Sequence, residues 1–214
     1  MITIGLIDDH ELFRASLKLL LESSGDFNVS VEANNGLDFL KRIQVEKQVP
    51  DIVITDFQMP KMNGKAIVEK LKTTCPSIKT IVLSAYEHDH LIHDVLVAGA
   101  CGFLSKNMKA EFLFKAINQV VLGKLVLLRG DQFIAIDFSE RKLMQLKTTQ
   151  LTDRQVEFLR LSALPDLTYK EIADYMHISP KTADRYRDEL FKKLGINSKA
   201  GLLLYAIETG LYSI

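Results

Sequence analysis

Five times in the first 122 residues a short apolar run gives way to a stretch with helical spacing. The runs are Met1 to Ile7, Phe27 to Ala33, the Ile52-Val53-Ile54 run that ends at Asp56, Thr80 to Ser84, and Gly102 to Ser105. Apolar residues then recur at three- and four-residue steps: Leu12, Phe13, Leu17, Leu20 and Leu21 in 11–23, Leu37, Leu40 and Ile43 in 36–44, and Ile67, Val68 and Leu71 in 63–73. Two further helices are expected over 88–98 and 109–122. This alternation predicts an α/β fold: a doubly wound five-stranded parallel sheet with right-handed crossovers and helices on both faces. Ile52 to Ile54 is β-branched throughout, which suits a strand buried on both faces.

In a parallel sheet the carboxyl ends of the strands share one edge, and open α/β sheets carry their chemistry there. Asp8 and Asp9 end the first strand, Asp56 the third, Ser84 the fourth, and Lys106 follows the fifth. One crevice therefore receives three carboxylates, a hydroxyl and an ammonium. Each alone reads as a cap, a turn former or a solvated charge; their joint arrival is what that reading explains poorly. Three neighbouring carboxylates stay ionised only if a cation joins them. All-oxygen ligands with room for water and phosphate suit Mg²⁺. A carboxylate beside such an ion can attack a phosphoryl group, whose oxygens then need Mg²⁺, Lys106 and a hydroxyl such as Ser84 for balance.

Residues 123–147 break the alternation and are expected to be a linker. Leu125 to Leu128 and Phe133 to Ile136 make it too apolar for a flexible tether, so it should pack on a domain or a partner chain. A turn is expected at Arg129-Gly130-Asp131 and a helix over 140–147.

Residues 148–214 read as a small all-α four-helix domain. Thr152 with Gln155, and Thr168 with Glu171, are capping boxes. Ser179 is an N-cap with Pro180 at the first helical position, Gly195 ends that helix, and Ser198 caps the last one. The short His177-Ile178 connection makes the middle pair a helix-turn-helix. In its second helix Ala183, Tyr186, Leu190 and Leu194 form the core stripe, leaving Lys181, Asp184, Arg185 and Asp188 outward. The whole chain is neutral, with 27 basic and 27 acidic residues, yet 179–199 holds six Lys/Arg against three acids. That local surplus suits phosphate contact. Lys181, Asp184, Arg185 and Asp188 are candidates for base edges, and Thr168, Lys170, Thr182, Arg187 and Lys192 for phosphates.

Asp8-Asp9, Asp56-Phe57-Gln58-Met59-Pro60 with Gly64, Ser84-Ala85, and Gly102-Phe103-Leu104-Ser105-Lys106 resemble the motif set of a flavodoxin-like receiver domain of two-component response regulators, over residues 1–122. Leu151 to Gln155, Lys170 to Ala183 and Lys193 to Lys199 resemble the LuxR-type helix-turn-helix over 148–214. Together they resemble a response regulator of the NarL/FixJ type. The resemblance implies that Asp56 accepts a phosphoryl group from a sensor histidine kinase. It implies that Asp8, Asp9, Asp56 and the carbonyl of Gln58 hold Mg²⁺. It further implies that Ser84 and Lys106 bind the phosphoryl group, that Phe103 changes rotamer with Ser84, and that the protein acts as a homodimer on double-stranded DNA. The chain departs from the pattern where Asn107 replaces the Pro common after the Lys, and where Gln155, Ala183, Tyr186 and Lys199 replace the usual Glu, Val, His and Arg.

Other classes fit less well. A haloacid-dehalogenase-like phosphatase would place an acid where Gln58 stands, and a flavodoxin phosphate loop would not carry Asp8-Asp9-His10-Glu11. His88, His90 and His93 lack a fourth metal ligand nearby and read as a partner-facing surface. A phosphorylation-independent DNA-binding regulator, whose receiver serves only for dimerisation, is the alternative function; a stand-alone phosphohydrolase is a third. Cys75 and Cys101 have no motif spacing, no signal peptide is evident and no apolar run approaches a membrane span, so a cytoplasmic protein is expected.

Overall fold

The computed structural model describes residues 1–46, 48–130, 132–137 and 150–212, and the chain divides into two compact units, Met1–Ile136 and Asp137–Ile214. In the first, the apolar runs form β1 (Ile2–Ile7), β2 (Phe27–Ala33), β3 (Ile52–Asp56), β4 (Lys79–Ser84) and β5 (Gly102–Ser105). The amphipathic stretches between and after them form α1 (Glu11–Ser23), α2 (Gly36–Glu46), α3 (Gly64–Thr74), α4 (Asp89–Ala98) and α5 (Ala110–Val121). β1 pairs in parallel with β2 and β3, β3 with β4, and β4 with β5.

Residue parity along the strands assigns the faces. Ile4, Leu6, Ile52, Ile54, Ile81 and Leu83 pack against Leu17 and Leu21 of α1 and Leu113, Ile117 and Val120 of α5. Ile7 and Val53 point the other way, against Phe39 and Ile43 of α2 and Ile67 and Leu71 of α3. Helices thus cover both faces, as the period-two burial of a doubly wound sheet requires.

The expectation of five strands is corrected to seven. β6 (Lys124–Arg129) and β7 (Gln132–Asp137) extend the sheet, whose order is β2-β1-β3-β4-β5-β6-β7. β6 lies parallel to β5, with Gly102, Phe103 and Leu104 opposite Val126, Leu127 and Leu128. The cause is the apolar run itself: Leu125 to Leu128 are all buried, as in a central strand, and α5 serves as the crossover that brings them to the β5 edge. The stretch expected as linker is therefore, over 124–129 and 132–137, part of the sheet. Phe133 of β7 stacks on Phe112 of α5 at 6.0 Å, with the Lys115 ammonium 4.4 Å from its ring centre. Gly130, at φ +54°, turns the chain after β6 and donates its amide to Glu87 in the loop after β4, at 2.9 Å. The helix expected over 140–147 lies outside the described residues.

The second unit contains α6 (Asp153–Ser162), α7 (Tyr169–Tyr175), α8 (Pro180–Leu194) and α9 (Lys199–Glu208). Both halves of both capping boxes form, Thr152 with Gln155 and Thr168 with Glu171. The Ser179 hydroxyl accepts from the Thr182 amide at 3.1 Å, and Gly195 ends α8 at φ +73°. His177 takes a left-handed φ of 53° in the turn between α7 and α8, a sharp reversal that brings the two helices together. Phe158, Leu159, Ile172, Ala173, Met176, Ala183, Leu190, Leu194, Leu202 and Tyr205 form the core. Tyr186 meets Phe158 edge-on at 5.9 Å from the rim of that core.

Candidate functional site

The register of β1, β3, β4 and β5 delivers their carboxyl ends to one edge, where Asp8, Asp9, Asp56 and Lys106 come together. Asp8 and Asp56 are 4% and 5% exposed, while Asp9 remains open to solvent. The Lys106 ammonium reaches across from the end of β5 to Asp8 Oδ2 at 2.8 Å and Asp56 Oδ1 at 3.0 Å. Its aliphatic stem runs beside α1, with Nζ 4.6 Å from the centre of the Phe13 ring. Carboxylate oxygens of Asp8, Asp9 and Asp56 and a ring nitrogen of His10 all lie within 4.8 Å of one another. Among the described residues this is the one such cluster of His, Cys or acidic groups, and His88, His90 and His93 do not join it.

Burial pushes the Asp56 carboxyl above the ordinary carboxylate range; the hydrogen bond and charge of Lys106 oppose this, and the charge of Asp8 reinforces it. One ammonium shared between two buried carboxylates leaves the crevice short of positive charge. Hard oxygen ligands in such a group suit a divalent cation such as Mg²⁺. The Arg14 guanidinium, which donates to the Asp8 carbonyl at 2.6 Å, braces the end of β1. Neither that role nor the place of His10, whose Nδ1 sits 3.2 Å from Asp8 and 3.1 Å from Asp9, carries a motif signal in the sequence.

The chain leaves Asp56 through 57–63 and returns closely at Gly64. The Gly64 amide donates to the Phe57 carbonyl at 2.9 Å, and Asn63 caps α3 by accepting from the Ala66 amide at 2.9 Å. A Cβ on Gly64 would stand 2.5 Å from the Asp56 carbonyl oxygen and 2.8 Å from the Phe57 Cα. Only glycine allows that approach. An open depression of ≈430 Å³ lies beside it, lined by Asp9, Phe57, Gln58, Met59, Pro60 and Asn63. Gln58 is thus on the loop where the resemblance puts its carbonyl.

Ser84 is 1% exposed at the end of β4, and its Oγ accepts from the Tyr86 amide at 3.0 Å. Phe103 is fully buried on β5, opposite Val82 of β4 and Leu127 of β6. The Lys106 amide donates to the Ser84 carbonyl at 2.7 Å, locking these two strand ends together. No peptide bond among the described residues is cis, that between Lys106 and Asn107 included.

On α8, Lys181, Asp184, Arg185, Asp188 and Lys192 are exposed, as is Lys170 on α7. Arg187 is already occupied: it pairs with Asp184 at 2.8 Å and Asp188 at 2.9 Å, and its guanidinium lies 5.6 Å from the Tyr169 ring centre. The Asp188 hydrogen bond and both acids' charges raise its pKa further. That group of one cation and two anions carries a net −1, and Lys181, Arg185 and Lys192 are exposed cations on α8. Thr168 caps α7 and bonds the Glu171 carboxylate at 2.6 Å, and the Thr182 hydroxyl is 2.8 Å from that of Ser179. Lys199 donates to the Leu167 carbonyl at 2.7 Å and so braces the loop ahead of α7.

Comparison with known proteins agrees with both halves. Residues 4–118 match the response regulator receiver domain, and 149–206 match the bacterial regulatory proteins of the luxR family. The transcriptional regulatory protein YdfI of Bacillus subtilis is 32% identical over 98% of this chain and 97% of its own length. The response regulator UvrY of Escherichia coli is 30% identical over 99% and 96%. Among solved structures, the response regulator ChrA of a heme-sensing two-component system is 26% identical, with a TM-score of 0.51 over 99% of this chain and 98% of that one. Among the described residues no helix is long and apolar enough to cross a membrane.

Proposed function

The chain belongs to the two-component response regulators that join a receiver domain to a LuxR-type DNA-binding domain, and from that premise we propose that Asp56 is its phosphoacceptor. The observation that carries this is the Lys106 ammonium held between two buried carboxylates, Asp8 and Asp56, with Asp9 in the same cluster. The donor is a phosphohistidine on a sensor kinase. An Asp56 carboxylate oxygen attacks phosphorus, the P–N bond breaks, and the departing imidazole takes up a proton from solvent. Lys106 then has a phosphoryl oxygen to pair with in place of the Asp56 carboxylate.

Asp8, Asp9, Asp56 and the Gln58 carbonyl are the groups that would hold Mg²⁺, which when bound supplies the positive charge that phosphoryl oxygens need. Ser84 exchanges its hydrogen bond to the Tyr86 amide for one to the phosphoryl group, and Phe103 responds. The modified receiver state then shifts DNA occupancy by the second unit, where 148–214 binds duplex DNA as a homodimer. Lys181, Arg185, Asp184 and Asp188 face base edges; Lys170, Lys192, Thr168, Thr182 and Arg187 lie towards phosphates, Arg187 after exchanging its acidic partners. The receiver role belongs to 1–122 and the cell compartment is the cytoplasm.

The test uses beryllofluoride, which mimics a bound phosphoryl group, together with Mg²⁺. The full chain should gain affinity for a duplex selected from a randomised pool, and lose that gain on Asp56→Asn. An affinity unaltered by beryllofluoride would instead support a receiver that serves only for dimerisation.

A further inference from the structure

Gln155 is 3% exposed in the first turn of α6, and its carboxamide makes three hydrogen bonds. Its Oε1 accepts from the Thr152 amide at 3.2 Å and from the Lys193 ammonium of α8 at 3.0 Å. Two donors on one side fix which end of the amide is oxygen. The NH₂ must therefore face the other way, where it donates to Glu189 Oε2 at 2.6 Å. The second oxygen of that carboxylate, Oε1, lies 3.7 Å from Arg185 Nε. The Arg185 guanidinium also lies over the Tyr186 ring, 5.7 Å from its centre, while its side chain stays 65% exposed.

From this chain of contacts we infer that Gln155 is a positioning residue for DNA recognition: its amide anchors Glu189, and Glu189 orients Arg185 on the outer face of α8. The inference rests on the reading of Arg185 as a base-edge contact. Long exposed side chains lose rotamer freedom when they bind, so an arginine oriented beforehand gives up less and discriminates better. The amide is needed for this. A carboxylate at 155 would keep both bonds from Thr152 and Lys193 but set two negative charges against each other where 2.6 Å now separates donor from acceptor. Glu189 would then turn away, and Arg185 would lose its partner.

The experiment measures the preference of the full chain for a duplex selected from a randomised pool over a scrambled duplex of the same length. Thermal melting of each variant is followed in parallel. Gln155→Glu and Glu189→Gln should each lower the preference by about tenfold, within what a single base contact carries. The double variant Q155E/E189Q restores the pairing in reverse: the amide now on α8 donates to the carboxylate now on α6, and its oxygen accepts from Arg185. It should recover most of the preference. Gln155→Met, of similar volume, covers the case in which the buried carboxylate prevents folding, and should lose the preference while melting as a folded protein. Unchanged preference in Gln155→Met, or a double variant no better than either single one, overturns the inference. Arg185→Ala separates the two layers: if it leaves the preference intact, the base-edge reading itself is wrong and the inference goes with it.

Discussion

Asp56 sits where its charge is least welcome. Burial raises its pKa against the pull of Lys106, so the ionised form is disfavoured in the metal-free fold. The sign follows: the stability this group contributes is complete below its unfolded pKa of about 3.9 and is lost as pH rises through the higher folded value. Asp56→Asn should therefore raise the melting temperature in chelator at neutral pH, with the gain shrinking as pH falls towards that unfolded value, as read by thermal denaturation across pH. Excess Mg²⁺ should raise the melting temperature of the natural chain more than that of the variant, because the ion binds the folded acidic cluster. Gly64→Ala would place a methyl group against backbone that cannot move aside, and is expected to cost about 1–3 kcal/mol and slow phosphorylation at Asp56. Denaturant unfolding and phosphorylation rates check both. These positions were legible in the sequence because strand ends and turn residues are local features. The ion pairs that occupy Arg187, and the contact of Gln155 with Glu189 across 34 positions, depend on how helices pack and rotamers settle, which no local pattern records.

Strands β1 to β5 were readable from their apolar runs, since each is followed by a helix that marks it as one step of the winding. β6 was not, because the expected alternation ends with α5 and the next element after β6 is another strand, β7, and not a helix. Its run of buried residues nonetheless completes a further βαβ unit, and Phe103 owes its full burial partly to Leu127 opposite it. A chain cut after Leu122 would lose Leu125 to Leu128 from the core and open the β5 edge. Each buried aliphatic side chain contributes roughly 1.5–3 kcal/mol, so the shortened domain should be destabilised by several kcal/mol against one ending at 137, and aggregate sooner. Melting temperatures and light scattering of the two chains decide it; equal stability would mean that β6 adds nothing to the fold.

Across the whole chain the net charge is zero, so attraction to DNA must come from the local basic surplus around α8. Lys192→Ala should weaken binding to all duplexes alike and reduce the slope of log affinity against log salt by about 1. Control of that binding by the first unit requires one chemical event at one side chain. The most direct measurement is the location of the phosphoryl group after the full chain is incubated with acetyl phosphate and Mg²⁺, by intact mass and peptide mapping. The expected result is one phosphoryl group on Asp56, absent in chelator and absent in Asp56→Asn. A phosphoryl group retained by Asp56→Asn, or mapped to any other residue, would contradict the assignment of the site.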